Sequence, residues 1–144
     1  MIKKITLAII LLFTLIFNVN AEKVNFFDEA KNLYENEKYE DSKFLFQRNI
    51  VYNPKDSKSY LYLAKIFKNE ENKTELEKNI NTVLLLEPNN EEAILMLMNV
   101  ALEKSNYSKV KKLSEDFVKV CKNLCDKNKS ILESLANLEP KNES

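Results

Sequence analysis

Cys121 and Cys125 are the only two thiols in the chain, four residues apart in VCKNLCDK, and the chemistry open to such a pair is a disulfide or nothing covalent at all. On a regular helix, side chains four apart hold their Cβ atoms about 5 to 6 Å from one another, whereas a disulfide needs about 3.5 to 4.5 Å. The bond therefore requires a helix to end between them. Two readings stand side by side: two small buried thiols, or a staple at a junction between helices. Two cysteines alone do not make a structural zinc site, and the chain has no histidine, the commonest metal ligand and general base. It also has no glycine, so neither a phosphate-cradling loop nor a dinucleotide-binding turn can form. Chemistry could come only from Asp, Glu, Lys, Cys or Ser, and no spacing singles out such a group. No catalytic residue, no metal, no cofactor and no enzymatic activity are expected.

Of the 144 residues, 44% are hydrophobic and 31% charged, and acids and bases balance. This is the composition of a chain that folds. With no basic excess to meet a phosphate backbone, nucleic acid is not an expected partner.

The N-terminal 21 residues read as an address. Lys3 and Lys4 precede an apolar run from Ile5 to Phe17, and Val19, Asn20 and Ala21 supply the small or aliphatic side chains of a cleavage site. The rival reading is a membrane anchor, but a helix over that run would be about 20 Å long, against a hydrocarbon core of roughly 30 Å. Glu22 stands where a lipoprotein would carry cysteine. The expectation is an exported protein, periplasmic or secreted, that meets a membrane only through residues 1–21 before cleavage.

From Val24 the apolar spacing is helical throughout, with no alternating run long enough for a strand. Phe26, Phe27, Ala30, Leu33 and Tyr34 share one face of a first helix, which Asn36 and Glu37 break. A second helix follows from about Tyr39, with Phe44, Leu45, Phe46, Ile50 and Val51 as a wide apolar surface, and Asn53 and Pro54 end it. A 34-residue slide lays Tyr60, Leu61, Ala64 and Phe67 over Phe26, Phe27, Ala30 and Leu33. It also carries Phe46 to Ile80, Ile50 to Leu84 and Pro54 to Pro88. A second slide brings Ile94, Leu95, Leu97 and Ala101 to the next first helix, and Tyr107, Val110, Phe117 and Val120 to its partner.

At these residues the sequence resembles the tetratricopeptide repeat (TPR) family, whose 34-residue helix-turn-helix unit carries large, small and aromatic slots closed by proline. The first unit fills them with Phe26, Ala30, Leu33, Tyr39, Ser42, Phe46 and Pro54, and the second with Tyr60, Leu63, Ala64, Phe67, Leu76, Ile80 and Pro88. The third has Met98 in the small slot, Ser114 in the aromatic slot and Lys122 in place of proline. Glu29 takes a leucine slot and Asn49 an alanine slot of the first unit. Each inter-helix turn lacks its glycine, and Asn36, Asn72 and Asn106 are expected to supply the left-handed conformation instead.

The resemblance implies an all-α, right-handed superhelical array of antiparallel helix pairs over residues 22–140. Its units fall at about 23–56, 57–90 and 91–124. A capping helix over about 126–138 then seals the open end with Ile131, Leu132, Leu135 and Leu138, before a tail at 141–144.

The resemblance also implies a concave wall built by the first helix of each pair, holding an extended peptide or a partner helix. By slot, Lys31, Tyr34, Tyr62, Lys65, Lys68, Met96, Asn99 and Leu102 face it. Aromatics and methionine beside lysines suit a peptide with apolar and acidic groups. Lys68 and Asn99, each taken alone, read as solvated surface. Phe27 and Lys31 occupy the slots where some family members place a lysine and asparagine pair for a terminal carboxylate, so that specificity is not expected. The implied role is an adaptor or scaffold for a protein partner; the alternative is a self-associating subunit of an envelope complex.

Overall fold

The computed structural model describes residues 26–138. The expected leader at 1–21 and the tail at 141–144 lie outside the described residues. Among the described residues the chain forms seven helices and no strand: α1 (Phe26–Glu35), α2 (Tyr39–Tyr52), α3 (Ser57–Asn69), α4 (Lys73–Leu86), α5 (Glu91–Glu103), α6 (Tyr107–Val120) and α7 (Cys125–Leu138). They form an all-α array of antiparallel pairs, α1/α2, α3/α4 and α5/α6, in which each pair packs on the next and α7 lies against α6 and α5.

The repeat is visible in the backbone. The second helices begin at residues 39, 73 and 107 and end at 52, 86 and 120, steps of 34 throughout. Each turn inside a pair closes in the same way. Lys38 N–H reaches Leu33 O and Glu37 N–H reaches Tyr34 O; Asn72 with Phe67, and Glu71 with Lys68, repeat this, as do Asn106 with Ala101 and Ser105 with Leu102. This is a Schellman closure, which needs one residue with positive φ. Those residues are Glu37, Glu71 and Ser105, at φ of 60°, 57° and 54°. The expectation that Asn36, Asn72 and Asn106 take this conformation is thus corrected. Asn72 and Asn106 instead cap α4 and α6, accepting from Glu75 N–H and Lys109 N–H, while Asn36 bonds back to Asn32 O.

One cluster of buried side chains runs from Ala30 and Phe46 through Leu63, Ile66 and Ile80 to Leu97, and a second joins Ile94, Met98, Val110 and Phe117 to Ile131 and Leu135 of α7. Helix α5 serves both, which explains its nearly continuous apolar sequence EEAILMLMNVALE. Ser42 sits fully buried where α2 meets α1, and its hydroxyl donates to Ala30 O at 2.8 Å. Small side chains at this crossing let the helices approach.

The wide apolar face expected on α2 is narrower in fact. Phe46 is fully buried, and Leu45 and Ile50 pack against the core, but Phe44 and Val51 are 60% and 76% exposed. The buried ridge instead follows Ser42, Phe46 and Asn49. On α7, likewise, Ile131 and Leu135 are buried while Leu132 and Leu138 face outward. In the third pair Ser114 is buried in the aromatic slot and Phe117, one turn on, fills the space with no exposed surface.

Candidate functional site

The first helices of all three pairs share one wall. A cleft of about 320 Å³ opens there, lined by Tyr34 from α1, Lys65, Lys68 and Asn69 from α3, and Glu92 and Met96 from α5. A much smaller, more enclosed depression adjoins it, bounded by Lys68, Leu76, Met96, Asn99, Val100 and Glu103. Lys68 and Met96 therefore stand on the ridge between the two.

The floor beneath Tyr34 is aromatic. Its ring meets Tyr62 edge to face at 5.1 Å and Tyr39 at 5.4 Å, and Tyr62 stacks on buried Phe46 at 4.9 Å. Such pairs fix ring orientation beyond what burial alone does. Burial, then the neighbouring Tyr39 and Tyr62 phenols and the Glu92 carboxylate, push the Tyr34 phenol above its ordinary value. At neutral pH it keeps its proton and remains a donor.

The two lysines differ. Lys65 is tied down, with Nζ 2.9 Å from a Glu92 oxygen and 5.0 Å from the centre of the Tyr62 ring. Lys68 makes no ion pair among the described residues and is exposed. Net positive charge in the cleft thus comes from Lys68, which sequence reasoning on its own treats as solvated surface. Glu92 and Asn69 escaped that reasoning: an acid in the first turn of a helix reads as a favourable end charge, and only the stacking of the third helix pair on the second brings it to Lys65.

The eight expected wall residues separate into groups. Tyr34, Lys65, Lys68 and Met96 line the cleft, and Tyr62 supports it from below. Asn99 lies in the adjoining depression, its amide donating to Leu95 O at 3.0 Å. Lys31 pairs with Glu35 of its own helix at 3.5 Å. Leu102 packs against the second core cluster.

The cysteines flank the junction between α6 and α7. Helix α6 stops at Val120 and α7 starts at Cys125, so the chain does leave the helix between them; Cys121 and Cys125 are bridged, with Cα atoms 5.4 Å apart. Inside this loop the Glu91 carboxylate accepts the N–H groups of Lys122, Asn123 and Leu124 at 2.7 to 3.3 Å. The Leu124 contact, then those of Asn123 and Lys122, hold its carboxyl below the usual carboxylate range. Proline could not serve at position 122, because its nitrogen has no hydrogen to give. Among the described residues no group of three or more His, Cys, Asp or Glu could hold a metal, and no helix is long and apolar enough to cross a membrane.

No family model matches the chain, and no curated protein matches it. Among solved structures it is similar to the Sgt2 TPR domain from Aspergillus fumigatus, with a TM-score of 0.66 and 12% identity over 87% of this chain and 89% of that one. At that identity the likeness establishes a TPR-like helical array.

Proposed function

We propose that this protein is an interaction adaptor that holds a peptide or a partner helix on the wall formed by α1, α3 and α5. The supporting observation is the cleft to which all three first helices contribute, with an aromatic and methionine lining and an unpaired cation at its rim. Tyr34 and Met96 offer apolar contact with little cost in ordering, since Tyr34 is already fixed by its neighbours. Lys68 supplies the attraction for an acidic group, and the Lys65–Glu92 pair keeps the rest of the cleft near neutral. The ligand class that fits is an apolar segment with an acidic side chain close by.

The test is a photo-crosslinking amino acid placed at position 96 or, as a control, at the exposed position 118 of α6, in the producing cell. A discrete adduct from position 96, absent from position 118 and lost on Lys68→Glu, supports the reading. No adduct from position 96, or one equal to that from position 118, ends it.

A second reading has its own observation. Phe44, Val51 and Tyr52 present a largely exposed apolar stretch on α2, away from the cleft. A tight oligomer in light scattering, independent of concentration and abolished by Val51→Lys, would favour a self-associating subunit. For either role we propose export, supported by Lys3, Lys4 and the Ile5–Phe17 run and in keeping with a bridged cysteine pair.

A further inference from the structure

Helix α7 is held differently from the rest of the array. It buries Asn128, Ile131 and Leu135, whereas α5 buries seven side chains. One of those three is polar, and the Oδ1 of Asn128, only 6% exposed, has no hydrogen-bond partner among the described residues. An unmet buried acceptor opposes docking, so the first turn of α7 works against its own closure. The restraints sit at the two ends. At the start of α7 the Cys121–Cys125 bridge closes the loop from α6, and Glu91 of α5 grips the loop's N–H groups. At the end, Tyr107 Oη donates to Leu138 O at 3.1 Å in an exposed position.

We propose that α7 is a redox-released latch: bridged, it covers the apolar end face that includes Ile94, Leu95, Met98 and Phe117; reduced by a dithiol, it undocks and uncovers that face. Cys125 is exposed and open to attack. A thiolate of the dithiol attacks the Cys125 sulfur, breaks the S–S bond and expels the Cys121 thiolate. The second thiol then attacks the mixed disulfide and releases Cys125. The reductant ends as its own disulfide, and the two cysteines take up two electrons and two protons. Opening the ring multiplies the arrangements open to an undocked α7, while the docked state keeps its orphaned amide oxygen.

Hydrogen exchange read by mass spectrometry tests this on the oxidised protein, on the protein treated with dithiothreitol, and on the Cys121→Ser/Cys125→Ser variant. On reduction, the α7 amides around Ile131 and Leu135 should exchange at least about tenfold faster, with α3 and α4 unchanged. The double variant should match the reduced protein and ignore dithiothreitol; if it does not fold, the wild-type comparison decides alone. Unchanged α7 exchange on reduction overturns the proposal. So does equal acceleration in α3 and α4, which would make the bridge a general brace.

Discussion

Placing a side chain with a Cβ in the left-handed region costs about 1 to 2 kcal/mol, and Glu37, Glu71 and Ser105 each do so. Glycine removes that cost but adds roughly 0.5 to 1 kcal/mol of unfolded-state entropy. Glu71→Gly should therefore raise unfolding stability in urea by about 0.5 to 1 kcal/mol, and Glu71→Val should lower it. The polar residue in the alanine slot behaves in the opposite sense. Asn49, 3% exposed, donates to Asp56 Oδ2 at 2.7 Å and Ser59 Oγ at 2.8 Å, knitting α2 to the start of α3. Asn49→Ala should cost about 1 to 3 kcal/mol, measured the same way, because it strips partners from groups inside the fold. The sequence marks Asn49 as a departure from the repeat but not as a bonded one, since Asp56 and Ser59 come within reach only after the helices turn back. The asparagines near the turns mislead for a related reason. Asparagine suits both a left-handed turn and a helix start, and a shift of one residue decides between them.

At the scale of the helices, what was legible is the period: the second helices begin and end at steps of 34 residues. What was not legible is which side of an amphipathic helix wins, because Phe44 and Phe46 look alike until the neighbour's small residues set the line of approach. The caps offer a direct check. Asn72 and Asn106 cap their helices by accepting a backbone N–H, but the matching position before α2 is Lys38, whose side chain cannot accept. Lys38→Asn should add about 1 kcal/mol by chemical denaturation, and Asn72→Ala should remove a similar amount.

At the scale of the whole molecule, polar ties between neighbouring pairs add to the packing of the two apolar clusters. Glu77 meets Lys104 and, at 3.3 Å, Lys109; the Lys104 contact, followed by that of Lys109, holds its carboxyl below the ordinary value. Glu87 is lowered by hydrogen bonds from Ser57 and then Asn90. A folded-state value below the unfolded one means stability present above the unfolded glutamate value of about 4.3 and lost as pH falls through the folded values. Melting temperature should hold from pH 7 to 5 and drop below about 4.3, less steeply in Glu77→Gln. The tie at Glu77 has a counterpart one step earlier with its signs reversed: Lys43 pairs with Glu70 at 2.7 Å, and positions 43 and 70 correspond to 77 and 104. That reversal limits how such a chain can grow by gene duplication. A tandem copy of the second module would set the original Glu77 against the copied Glu70, acid on acid, so lengthening this array by simple copying carries a built-in electrostatic fault.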